Sequence, residues 1–224
     1  MSGTLLLVGQ LLYVTVTLLH TGAEANNHPA IFAAYADSGI WTAVHVAQFA
    51  CMAIMLAGLL GLFSSLDGHG GATRLVNRFG AASTTSALAL SGAVLAVDGV
   101  ALKQAVNVWI GAPEAEKAAR FATAETMRWL EWGTRSYANF TLGLAVLLAA
   151  AVVRRALLPR PIVYVMGLAG LTYLLQGWFA GVEGFSPTHT LGIVAAEALN
   201  ALWMTWLLVV AWRTPQPVSA SPRR

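Results

Sequence analysis

The chain has 224 residues, of which 57% are hydrophobic and only 10% charged, with a net charge of +3. A soluble domain carries about 25% charged residues, so this composition cannot cover a water-soluble globule and places the chain among integral membrane proteins. The pI near 9.4 does not point to nucleic acid, because the basic residues form short clusters beside apolar segments, as topology signals do.

Six apolar segments are each close to the length a spanning helix needs, at roughly 4–20, 41–63, 82–102, 136–153, 162–180 and 191–211. They are continuously apolar rather than alternating, which argues against barrel strands. The expected fold is therefore all-α, a bundle of six transmembrane helices with no soluble domain. The first segment has no Lys or Arg before it, so it reads as a span rather than a cleaved signal sequence, although TGAEA behind it loosely fits a cleavage site. The second contains Cys51, a small buried hydrophobe with no partner for a disulfide. The stretch GHGGAT (68–73) reads as a turn in the connection 64–81. The third segment is expected to project outward through LKQAVNVW. Residues 113–135 read as a helical extension running into the fourth span, with Pro113 in its first turn and Glu114 and Glu116 at its positive end. Gly133 is the place for a bend. LPRP (158–161) breaks spans four and five, and 213–224 reads as a disordered tail.

Arg74, Arg78, Arg154, Arg155, Arg160, Arg213, Arg223 and Arg224 share one side if there are six spans. That side is expected to be cytoplasmic, with both termini on it. Tyr13 before TGAE and Tyr173 before AGVE hint at two related hairpins.

A charge at mid-bilayer costs about 2.5–3.5 kcal/mol even on the insertion scale, so it normally faces protein or a wet cavity. The polar residues within these spans gather toward the outer end. Arg128, Glu131, Arg135 and Asn139 step by three, four and four, and so share one helix face. Trp129 and Trp132 beside them suit the headgroup level. His45 and Gln48 lie three apart, as do Glu197 and Asn200; Asp98 and Gln176 lie in spans three and five, and Glu183 on an outer loop. Together these point to an outward-facing polar cavity. Glu131, Glu197, Asp98 and His45 are its candidate acid–base groups. Arg135, Arg128, Gln48, Asn139, Gln176, Asn200 and Glu183 are its candidate ligand-binding groups. The plainer readings are that Glu131 and Arg135 snorkel at the interface, that Asp98 pairs with Lys103 or Arg135, and that Gln48 and Asn200 hold helices together. No P-loop, HExxH, CxxC or histidine box is present, and no motif marks a metal site. A bis-histidine haem would need His20 and His45 to face each other across the bundle. No cofactor is assigned.

Four stretches, HPAIFAAYADSGIWTAVHVAQFACMA (28–53), VDGVALKQAVNVW (97–109), RWLEWGTRSYANF (128–140) and QGWFAGVEGFSP (176–187), resemble a domain-of-unknown-function group of bacterial multi-pass membrane proteins. The resemblance implies a helical bundle in the bacterial inner membrane and assigns no residue a role. The leading expectation is a protein that binds a small or lipidic molecule in the outer cavity and could act on it through its carboxyls. A small transporter or proton-coupled permease is the alternative, in which a homo-oligomer could complete a pathway. A structural or sensory subunit is the third. Beyond lipid and such a ligand, no partner is implied, and nucleic acid is not one.

Overall fold

The computed structural model describes residues 1–66, 71–154 and 159–213, and every regular element among them is helical. Five stretches, Trp41–Ser65, Ala72–Gly111, Glu114–Val153, Arg160–Glu183 and Pro187–Arg213, are long and apolar enough to cross a membrane. Helix α1 (Ser2–Thr17) is apolar but has only 16 residues, or about 24 Å against a hydrocarbon core of about 30 Å.

Helix α2 (His28–Asp37) is an element that hydropathy does not reveal. The Asn27 side chain accepts from the Ala30 N–H, and Pro29 sits in the first turn. Both features start helices. Its far end is held by Lys103, whose Nζ donates to the carbonyls of Tyr35, Ala36 and Ser38. A cation at a helix C-terminus satisfies the last carbonyls and opposes the helix dipole.

Helix α3 (Trp41–Ser65) matches the second expected span. Helix α4 (Ala72–Ala96) begins ten residues before the expected third span, so much of the connection expected at 64–81 is helical, including Ala72 and Thr73 of the expected turn. Residues 68–70 of that turn lie outside the described residues. A π-helical turn, Val97–Leu102, joins α4 to α5 (Lys103–Gly111), the outward projection expected for LKQAVNVW. After a short 3-10 turn at Glu114–Glu116, helix α6 (Lys117–Val153) runs 37 residues through Gly133 without a break in its helical hydrogen bonding. Helices α7 (Arg160–Glu183) and α8 (Pro187–Arg213) complete the chain. Arg213 still belongs to α8, and the remainder of the expected tail lies outside the described residues.

The long helices pack in a closed ring, α1 on α3, α3 on α4, α4 on α6, α6 on α7, α7 on α8 and α8 back on α1. Small residues set the closest approaches. A Cβ at Gly9 would lie 2.4 Å from the Met55 backbone nitrogen, so α1 and α3 meet almost backbone to backbone. One end of the ring is filled by a dry core that includes Leu59, Phe63, Val153, Met166 and Trp203. At the other end α2 and α5 lie against the start of α6, and Ile31, Phe32, Tyr35, Trp41, Leu102, Val106 and Ala124 form a second apolar cluster. His28 Nδ1, 2.9 Å from Glu125 Oε1, ties α2 to α6.

Candidate functional site

Between the dry core and the α2 end, the ring encloses a cavity of about 520 Å³. It draws its lining from α1, α3, α4, α6, α7 and α8, with Tyr35 of α2. Of the eleven residues expected to line it, Gln48, Arg128, Glu131, Arg135, Asn139, Gln176 and Glu197 do so.

The face of α6 carrying Arg128, Glu131, Arg135 and Asn139 turns inward, so the snorkelling reading does not describe Glu131. Arg128 and Glu131 are both buried and pair at 2.7 Å between Nη1 and Oε2. The Arg128 guanidinium also lies 4.5 Å from the Phe185 ring centre and 5.6 Å from that of Tyr35. Such stacking suits a planar, weakly hydrated cation in a desolvated place. Burial pushes the Tyr35 phenol above its ordinary range, outweighing the opposing effect of Arg128, so it stays a neutral hydroxyl. Arg135 is half-buried lower on the same face, next to the Tyr13 hydroxyl. On α8, Glu197 accepts from Gln10 Nε2 of α1. Gln48 donates to Thr17 Oγ1 at 3.0 Å, and Gln176 to the Gly192 carbonyl at 3.1 Å.

Asp98 and His45 stand behind this wall rather than on it. The pairing of Asp98 with Lys103 or Arg135 gives way to another: Asp98 Oδ2 lies 2.9 Å from His45 Nε2 and 3.8 Å from His20 Nε2. Lys103 is drawn to the end of α2 instead. The π turn makes the arrangement. Within it the carbonyls of Asp98 and Gly99 accept from Trp41 Nε1 at 2.9 Å and Thr42 Oγ1 at 2.8 Å, both on α3. Single π turns of this kind recur at functional sites. At Gly99 a Cβ would fall 2.5 Å from the His45 Cβ, so only glycine lets His45 approach. The carboxyl of Glu131 adjoins that of Asp98.

Two expected site residues lie elsewhere. Asn200 donates to the Tyr173 hydroxyl at 2.6 Å and accepts from Trp203 Nε1 at 2.9 Å, a lock between α7 and α8 in the dry core. The exposed Glu183 accepts from Ser186 Oγ, which in turn accepts from the His189 N–H at the start of α8. It therefore helps cap α8, beside the turn where Gly184 adopts φ 68°.

Several cavity residues lie outside the expected site set. His189 is 2% exposed, faces the cavity, and has no hydrogen-bond partner on either ring nitrogen. Tyr13 and Tyr173, singled out only as a repeat signal, both line it, and so does His20. The rings of His20 and His45 are in contact at 5.1 Å between centres, which leaves no room for a porphyrin between them.

The cavity wall is polar on the α6 side and apolar toward α1 and α8. Leu18 and Val194, 81% and 61% exposed, form its edge where α1 meets α8. A second, smaller groove of about 260 Å³ runs between α3 and α4 and is walled by Val46, Phe49, Leu95 and Val100. Thr42 and His45 also line it. No protein-family model, curated protein or solved structure matches the chain, so the functional reading stands on this geometry.

Proposed function

We propose that this chain is a six-span protein of the bacterial inner membrane that binds a lipidic amphiphile in the outward-facing cavity. In this reading α1 is the sixth span, and the Lys and Arg distribution supports cytoplasmic termini. The headgroup lies at Arg135, His189 and Glu197. The apolar part leaves between α1 and α8, past Leu18 and Val194.

The observation that carries the reading is the pairing of an amphipathic cavity with an apolar mouth. Its volume falls within the roughly 300–1,000 Å³ of small-molecule sites. Its polar wall keeps buried atoms without protein partners, among them Glu131 Oε1, Arg128 Nε and both His189 nitrogens. Such atoms are costly to leave unmade, and a polar headgroup or its water would satisfy them. Glu131 and Glu197 are the groups that any acid–base step on the bound molecule would use. The transporter alternative is disfavoured by the dry core, which closes the other end of the ring.

Native mass spectrometry on protein extracted with its own lipids tests the proposal, comparing wild type with Arg135→Gln and Glu197→Gln. A discrete bound mass that both substitutions weaken is the expected result. Absence of any such mass in folded wild type would refute it.

A further inference from the structure

The structure also assigns a metal site: we propose that His20, His45 and Asp98 bind a divalent first-row transition ion of the zinc or iron(II) type. The inference does not depend on what fills the cavity.

One donor atom from each of these residues lies within 4.8 Å of the other two. Ligand bonds of about 2.0–2.2 Å set neighbouring donors about 3.0 Å apart on an octahedral ion and about 3.4 Å apart on a tetrahedral one. Asp98 Oδ2 lies 2.9 Å and 3.8 Å from the two Nε2 atoms, and rotation of the half-buried His20 ring would draw the three donors, now within 4.8 Å of one another, around an ion. The longer separation exceeds a hydrogen bond, so direct His20–Asp98 bonding does not explain why His20 is held there.

The tautomer of His45 follows from its other nitrogen. His45 Nδ1 lies 2.7 Å from the Trp41 carbonyl oxygen, a pure acceptor, so Nδ1 carries the proton and donates. Its Nε2 lone pair then points at a carboxylate. That contact is repulsive unless Nε2 also bears a proton, Asp98 is protonated, or a cation lies between them. A metal-bound histidine characteristically donates its second N–H to a backbone carbonyl or carboxylate, as His45 does.

Asp98 gives a second sign. It is 3% exposed, and its Oδ1 has no hydrogen-bond partner unless it shares a proton with the neighbouring Glu131 carboxyl. The nearby Arg128 does not claim it: the Arg128 guanidinium bonds Glu131 through Nη1, and its Nε has no partner. Two imidazoles and a carboxylate form a donor set suited to zinc or iron(II). Three protein ligands would leave coordination positions open to water or substrate, and one of the three, His20, lines the cavity. Glu131, adjoining Asp98 and with Oε1 unpartnered, is placed to accept from an ion-bound water.

The full chain in detergent, stripped with a chelator and then titrated with Co(II) and Zn(II), gives the test. Wild type should bind Co(II) stoichiometrically, with visible absorption unlike that of the aqueous ion, and Zn(II) should displace it. His20→Gln changes a half-buried rim residue and Asp98→Asn keeps its shape. Each should weaken binding by about tenfold or more, since even outer-shell substitutions cost that much. Helical circular dichroism checks that both variants are folded. The proposal is overturned if wild-type Co(II) keeps its aqueous spectrum, or if folded His20→Gln binds as tightly as wild type.

Discussion

Gly99→Ala is the sharpest structural perturbation of this site. The added methyl would meet the Cβ of His45 at 2.5 Å and its Cγ at 2.8 Å. Carbon atoms in contact sit about 3.5–4.0 Å apart, so one side must retreat by about 1 Å. Neither side has slack. Residue 99 is pinned through its carbonyl to Thr42, and His45 through Nδ1 to Trp41. A retreat of that size takes the 2.9 Å His45–Asp98 contact beyond hydrogen-bonding range. Overpacking costs about 1–3 kcal/mol, and leaving a buried polar group without a partner costs about 1–3 kcal/mol. Partial relaxation puts the loss at about 2–4 kcal/mol. By the scaling for soluble chains of this size, Tm falls by about 4–16 °C. The assay is thermal unfolding in detergent, with Gly133→Ala as control. Nothing lies within 4 Å of a Cβ at Gly133, and helix propensity there favours Ala by about 0.5–1 kcal/mol. If Gly99→Ala melts with or above Gly133→Ala, the close packing of His45 on the π turn is wrong.

Three further outcomes follow from single contacts. Asn200→Leu leaves the Tyr173 hydroxyl and Trp203 N–H unpartnered, so stability should fall by about 1–3 kcal/mol per orphaned group, which thermal unfolding checks. Lys103→Met removes the donor to three carbonyls at the end of α2. Amide hydrogen exchange should quicken across His28–Asp37 and not across α7. Tyr35→Phe should flatten the alkaline stability profile. Burial raises the Tyr35 pKa above its unfolded value, so its contribution is whole below about pH 10 and is lost as pH rises beyond that. Equal alkaline losses in wild type and variant would contradict the burial of that phenol.

The long helices were legible because bilayer-length apolar runs have few alternatives. The extension before span four was legible because Ala, Glu, Lys and Arg favour helix and Pro113 marks its start. Hydropathy finds the lipid-facing part of a helix, however, and not its ends. ATRLVNRFGA is too polar to be counted in a span, so the first turns of α4 were read as connection. Helix α2 was missed because ten residues contain no long run, although Asn27 and Pro29 carried a start signal. In the site, the three–four–four spacing fixed which face of α6 is polar, and the structure turns that face inward. Spacing could not say which residues meet across the ring. Asp98 finds His45 and His20 only because a π turn and Gly99 bring α3 and α4 together. Asn200, on the same helix as Glu197 and three residues away, points instead into the core toward Tyr173.

The central claim is that the cavity holds a lipidic amphiphile reaching it between α1 and α8. A density map of the protein in polymer discs cut directly from its membrane tests this most directly. The account predicts elongated density with its compact end beside Arg135, His189 and Glu197 and its thin end passing Leu18 and Val194. A cavity holding water alone, or closed by α1 resting on α8 over its whole length, would contradict it.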